Sequence, residues 1–253
     1  MRHAATLLVA LGGAVLAAWI FGWTPVTTIH DGWPAMQPWT AIGFVALGVA
    51  MRWWRSAAWV TIYCSIASLL AYVFGPEALV VEPDVFTGAH GPMAMNTAAC
   101  MAMAAIAALQ KSLRVRGWIG AAIVATAGVA LSGYIFGIVE ARRWIDQSIG
   151  MAMHTSLGLL VAAGWLIQSA RRGCWHSGPS LGFAASVIVG LECLRVLIAI
   201  QAPAALAWGA FAFAILLGTI LSTATNIHYE LKETVDKLPE IEEPSSQPPR
   251  STR

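Results

Sequence analysis

Charge is scarce in this chain. Only 11% of its 253 residues are Asp, Glu, Lys or Arg, against roughly 25% in an ordinary soluble domain. A soluble fold of this composition could not cover its surface with polar groups. That excludes a cytosolic enzyme, a nucleic-acid binder and a disordered chain together. The net charge of +2 leaves no basic footprint for nucleic acid. Cysteine is sparse as well. Cys64, Cys100, Cys174 and Cys193 stand in or beside apolar runs without CxxC spacing, which reads as small buried hydrophobes rather than a disulfide frame or a zinc site. Lysine occurs only at Lys111, Lys232 and Lys237, none within an apolar run, so a retinal Schiff base is excluded. A glycine-rich phosphate loop, a Ser-His-Asp set and an HExxH motif are all missing. A catalytic constellation needs more polar groups than these; neither enzymatic activity nor a cofactor is expected.

What the chain has instead is long apolar runs. A membrane helix takes about 20 mostly apolar residues. Eight segments come close, at roughly 4–23, 36–54, 57–75, 93–110, 117–137, 151–170, 180–200 and 203–225. The first has a thin basic start (Arg2, His3) and no convincing cleavage site before Thr24, so it counts as a true helix rather than a signal peptide. Basic residues follow every second run: Arg52 and Arg55, then Lys111, Arg114 and Arg116, then Arg171 and Arg172, then Lys232, Lys237, Arg250 and Arg253. The alternate connections carry Asp31, then Glu77, Glu82 and Asp84. The positive-inside rule thus puts both termini in the cytoplasm, with Arg142 and Arg143 of the third outer loop as the exception. Trp19, Trp23, Trp53, Trp54, Trp118, Trp144 and Trp175 fall near span ends, where an indole suits headgroup level.

The chain also repeats itself. Trp19-Ile20-Phe21-Gly22, Tyr72-Val73-Phe74-Gly75 and Tyr134-Ile135-Phe136-Gly137 close the first, third and fifth runs. Each is followed by a second signature: Met36-Gln37-Pro38-Trp39-Thr40, Met93-Ala94-Met95-Asn96-Thr97 and Met151-Ala152-Met153-His154-Thr155. Gly and Met are 14 residues apart in the first and third copies and 18 in the second. The unit reads as an in–out–in helical hairpin used three times, with runs seven and eight as a degenerate fourth. All copies enter the membrane in one direction, which lowers the case for a transporter, where inverted repeats are common. In the second signature Met93, Asn96, Thr97, Cys100 and Met101 share one helix face. Thr40, Thr97 and Thr155, each followed three residues on by Gly43, Cys100 or Gly158, form a small-residue packing seam. Asn, Thr and Pro38 suit the helix start, so the even-numbered helices begin here, just inside the outer interface.

These residues resemble a known family. Met95-Asn96-Thr97-Ala98 and Met151-Ala152-Met153-His154-Thr155 look like the multi-pass membrane region found ahead of PAS, histidine-kinase and diguanylate-cyclase modules in bacterial signalling proteins. Gly190-Leu191-Glu192-Cys193-Leu194-Arg195 and the helix running past Asn226 add to the likeness, which covers about 5–235. It implies a sensory or signal-transmitting membrane domain. No output module follows Tyr229–Glu233; the remainder is rich in Pro, Glu and Ser and is expected to be disordered. The domain reading is therefore an eight-helix transmembrane domain over 1–228 and a cytoplasmic tail over 229–253.

Three sets of residues are site candidates. Glu192 and Arg195, at i and i+3 inside run seven, are costly in lipid unless paired. They form either a switch or polar ligand contact, or a structural ion pair. Trp39, Asn96 and His154 occupy one slot in three copies; either they share an outer-leaflet cavity, or His154 is a hydrogen-bonded packing residue. Met93, Met95, Met151 and Met153, with His154, offer thioether and imidazole donors suited to Cu(I), against the plainer reading of Met as packing material; no metal is expected. Haem lacks a facing His pair.

The expectation is an all-α polytopic bundle in a bacterial inner membrane: eight transmembrane helices as four parallel hairpins around a pseudo-rotation axis. It would bind a membrane or periplasmic signal, or a partner, and relay it through the last helix to Tyr229–Lys237. The alternative is an accessory subunit of a larger membrane complex, and behind that a small-solute permease. Partners are the bilayer and another membrane protein or a cytoplasmic signalling protein, not nucleic acid.

Overall fold

The computed structural model describes residues 2–75, 91–143, 149–171 and 178–237. Among these, every regular element is helical. Eight helices have 15 or more residues: α1 (Arg2–Phe21), α2 (Pro38–Arg52), α3 (Ala58–Phe74), α4 (Met95–Leu109), α5 (Leu113–Ile135), α6 (Met153–Arg171), α7 (Gly178–Ala199) and α8 (Ala204–Lys237). Three stretches, His3–Phe21, Arg55–Phe74 and Leu113–Ile135, are long and apolar enough to cross a membrane. Helices α2 and α4 are apolar but only 15 residues long.

The most extensive helix contacts are those of α1 with α2, α3 with α4, α5 with α6 and α7 with α8. The main core lies among α1 to α6 and holds Leu8, Phe44, Leu47, Met101, Ile123, Met151, Leu159 and Leu166, while Val196 of α7 packs in a smaller cluster with Val129 and Ala141. Close approach depends on missing side chains. A Cβ on Gly12 would lie 2.5 Å from the Ala41 carbonyl oxygen, and one on Gly48 would lie 2.8 Å from that of Ala5. Helices α1 and α2 therefore pack almost backbone to backbone.

Local chemistry explains the helix ends. Gly22, Gly75 and Gly137 follow α1, α3 and α5 at φ of 68°, 91° and 70°. Glycine reaches that region without strain, which is how it stops a helix. At the other end of the bundle, Arg55 Nη2 donates to the Leu109 carbonyl at 2.7 Å and Arg116 Nε donates to that of Gln110 at 3.0 Å. Two cations thus meet the orphan carbonyls and negative dipole end of α4.

Several boundaries differ from the sequence reading. Met36, Met93 and Met151 lie two residues ahead of α2, α4 and α6 rather than on them. Pro38 opens α2, where its missing N–H costs nothing. Helix α5 begins at Leu113 because Ser112 caps it, its hydroxyl accepting from Val115 N. Helix α8 continues to Lys237, nine residues into the segment assigned to the tail. Ile227, Leu231 and Val235 at i, i+4, i+8 and the mixed charges between them favour helix there, and the first proline comes only at Pro239. Trp19 is turned inward at 9% exposure, whereas Trp23, Trp53 and Trp54 are exposed. The acidic connection with Glu77, Glu82 and Asp84, Trp144, Asp146, Arg172, Cys174, Trp175 and the segment from 238 onward lie outside the described residues.

Candidate functional site

The non-helical backbone ahead of α2, α4 and α6 carries polar groups that helix geometry does not satisfy. In apolar surroundings each such group needs a partner. The aromatic residue that opens the first signature supplies it. Trp19 Nε1 donates to the Met36 carbonyl at 2.8 Å. The Tyr134 hydroxyl donates to the Met151 carbonyl at 2.6 Å. Both bonds are buried and both span 17 residues. In the middle copy, where the connection is longer, the buried Tyr72 hydroxyl makes no hydrogen bond of good geometry and faces the Ile149 backbone instead. There the Met93 amide is served by Ser68, whose Oγ accepts from it at 3.2 Å.

These helix ends meet at Arg142, in a single 3-10 turn, Val139–Arg142. Arg142 is only 8% exposed. Its Nη2 and Nε donate to the Gly133 carbonyl at 3.1 and 3.3 Å. Its guanidinium carbon lies 4.2 Å from the Tyr134 ring centroid and 5.9 Å from that of Trp33, and those two rings touch at 4.7 Å. A weakly hydrated, planar cation suits such a stacked site. The Arg142 carbonyl accepts from Asn96 Nδ2 at 3.0 Å and from Met151 N at 2.7 Å. One residue thus joins the connection between α1 and α2 (Trp33), the start of α4 (Asn96), the end of α5 (Gly133, Tyr134) and the lead into α6 (Met151). Among the described residues no carboxylate pairs with it.

The residues singled out from sequence fall as follows. Asn96 is buried at this rim; its Oδ1 also accepts from Thr97 N at 2.9 Å, serving an orphan amide of the first turn. Trp39 is half-buried against Cys64, Met93 and Ala98. His154 is 7% exposed, and neither ring nitrogen has a hydrogen-bond partner. Glu192 and Arg195 form an ion pair at 2.9 Å, and Arg195 Nη2 donates to the Glu140 carbonyl at 3.2 Å, two residues from Arg142. Met93 lies with Cys64 and Ala98 while Met151 belongs to the main core. Met95 and Met153 are half-buried. Among the described residues no three His, Cys, Asp or Glu side chains gather as a metal group.

Thr40, Thr97, Thr155, Gly43, Cys100 and Gly158 are all buried, and the glycines act as holes. A Cβ on Gly43 would lie 2.6 Å from Met101 Cε, and one on Gly158 would lie 2.7 Å from Phe44 Cζ. Met101 and Phe44 each stand eight residues after their signature Met, and Gly43 and Gly158 each stand seven after theirs. The second copy therefore inserts into the first, and the first into the third. Leu159 and Cys100, the remaining knob and hole, are both fully buried in the same core.

Among the described residues, a groove of about 560 Å³ lies on the connection between α1 and α2, from Thr24 to Trp33. Another, of about 520 Å³, lies between α1 and α6 at His3, Trp165 and Gln168. Trp39, Asn96 and His154 line neither groove. Sequence reasoning did not single out Arg142, Trp33 or the inward Trp19. The available signals were the one basic pair on the acidic side and the equal interval from aromatic to Met. Comparison with family models, with curated proteins and with solved structures finds no match to this chain.

Proposed function

We propose that this chain is a non-catalytic, multi-pass domain of a bacterial inner membrane, of the sensor type. On this reading all eight helices cross the bilayer as four parallel hairpins, with both termini in the cytoplasm. A signal or partner acts at the outer rim, and the last helix carries the displacement inward. The charge asymmetry of the connections and the pairing of consecutive helices support the topology. The non-helical lead-ins at Met36, Met93 and Met151 fit membrane depth, because irregular backbone is tolerated there only when buried in protein.

The observation that carries the functional reading is the contact between Arg195 and the Glu140 carbonyl. It ties the Arg142 rim to α7, and α7 packs along α8. A chain of polar and packed contacts thus leads from Trp33 through Arg142 and Arg195 to α7 and on to the last helix beside it, the kind of physical route that coupling requires. The resemblance to membrane regions ahead of bacterial signalling modules supports the same assignment.

The test is amide exchange on the purified chain in lipid nanodiscs. Replacing Arg195→Gln should change exchange over 226–237 while insertion and helix content stay the same. Unchanged exchange there, together with co-purification at fixed stoichiometry with a larger membrane complex, would favour an accessory subunit instead.

A further inference from the structure

Two guanidinium groups converge at the end of the bundle away from Arg142. Arg55 Nη2 donates to the Leu109 carbonyl at 2.7 Å and reaches that of Gln110 at 3.4 Å. Arg116 Nε donates to the same Gln110 carbonyl at 3.0 Å. These two donor nitrogens therefore lie no more than two hydrogen-bond lengths apart. The negative end of a helix offers roughly half a unit charge, which does not neutralise two cations. Each group also has donors to spare. Nε and Nη1 of Arg55 and Nη1 of Arg116 bond to nothing among the described residues. Among those residues no carboxylate pairs with either arginine. Neighbouring sequence supplies none: there is no Asp or Glu between Gly32 and Gly75 or between Met93 and Val139. Arg52, Lys111 and Arg114 add three more exposed cations to the same two connections.

We infer that Arg55 and Arg116 bind the phosphate of an anionic phospholipid headgroup. The inference rests on the membrane placement proposed above, not on the sensor role. A general bias of cations toward one side explains why arginines stand at this end; it does not explain two of them drawn to one oxygen. A third, fully charged partner would hold them there. The planar fork of arginine matches the oxygens of a phosphate, and two forks can grip one group from two connections. Depth selects the source of that phosphate. Arg55 and Leu113 open two stretches long and apolar enough to cross a membrane, so the site stands at headgroup level rather than in open water. Trp53, Trp54, Trp59 and Trp118, close by in sequence, are exposed, as indoles at that level are. Basic pockets between helices on the cytoplasmic side suit lipid headgroups for the same electrostatic reason. A zwitterionic lipid brings its own ammonium to compete for the phosphate, so the site prefers a lipid with net negative charge.

The test places the full chain in nanodiscs of phosphatidylcholine, with or without phosphatidylglycerol. Phosphatidylglycerol should slow amide exchange over 108–118 in the unmodified chain and leave 133–142 unchanged. Native mass spectrometry of the released chain should show one phosphatidylglycerol retained. Arg55→Gln with Arg116→Gln should weaken that retention at least about tenfold, and Lys111→Gln with Arg114→Gln, which removes as much charge, by less than about threefold. Equal weakening by the two pairs would reduce the site to diffuse surface charge and overturn it. Unchanged exchange over 108–118 in the unmodified chain would overturn it whether or not the variants fold. Slowing of the same amides in phosphatidylcholine discs by inorganic phosphate would assign the site to free phosphate, and slowing by poly-glutamate alone would assign it to an acidic protein; either result overturns the lipid. A chain that enters the discs but shows no lipid effect loses the site and keeps the membrane placement. A chain that does not enter them loses both.

Discussion

The Tyr134 hydroxyl donates to the Met151 carbonyl at 2.6 Å, joining the end of α5 to the lead into α6. Trp19 makes the matching bond to Met36 over the same interval. A phenol and an indole share a position because each puts a donor at the tip of a large apolar ring. Losing the donor while keeping the ring leaves a buried carbonyl unpaired, which costs about 1–3 kcal/mol. Tyr134→Phe should therefore lower Tm in nanodiscs by several degrees. Tyr72→Phe, whose hydroxyl makes no such bond, should leave Tm nearly unchanged. Equal shifts would contradict the role given to these donors.

Arg142 should not tolerate even a lysine. Arg142→Lys keeps the charge but loses the planar stack on Tyr134 and the paired donors to Gly133. We expect a loss of about 2–4 kcal/mol, from a charged hydrogen bond and a desolvated cation–π contact. Faster amide exchange near Asn96 and Met151 would accompany it; unaltered exchange there would show that Arg142 does not hold the rim together.

The positive-φ glycines that follow α1, α3 and α5 should differ from glycines in ordinary helix. Gly137→Ala forces a left-handed backbone on a residue with a Cβ, at a cost of about 1–2 kcal/mol. Gly13 lies within α1 with nothing within 4 Å of a built Cβ, so Gly13→Ala should be neutral or stabilise by about 0.5–1 kcal/mol. Thermal unfolding of the two variants checks the contrast.

The ion pair Glu192–Arg195 should show coupling. Glu192 is 15% exposed and Arg195 is 30% exposed, so each single Gln variant leaves a partly desolvated charge alone. We expect about 1–2 kcal/mol for each after discounting for partial exposure. The double variant should cost less than the two singles combined, and additive losses in a double-mutant cycle would remove the pair from the account.

The all-helical character was legible in the sequence from apolar runs alone, and the glycine stops from Gly22, Gly75 and Gly137. The rim was not. Arg142 stood out only as an exception to a charge rule, because its partners are a carbonyl and two rings that are distant in sequence or chemically silent. Trp19 looked like a headgroup anchor, since an indole near a span end serves either purpose; its interval to Met36 was the better guide. His154 was expected either in a shared cavity or as a bonded packing residue. Its unpartnered nitrogens depart from the bonded reading, and periodicity carries no information on that point. The helix running past Asn226 was legible from Ile227, Leu231 and Val235, and it continues to Lys237.

Membrane sidedness tests the central claim most directly. With single cysteines at Asp31, Ser112 and Glu233, an impermeant maleimide added to intact cells should label Asp31→Cys alone. All three should be labelled once the membrane is opened. Labelling of either Ser112→Cys or Glu233→Cys from outside would contradict the four-hairpin account.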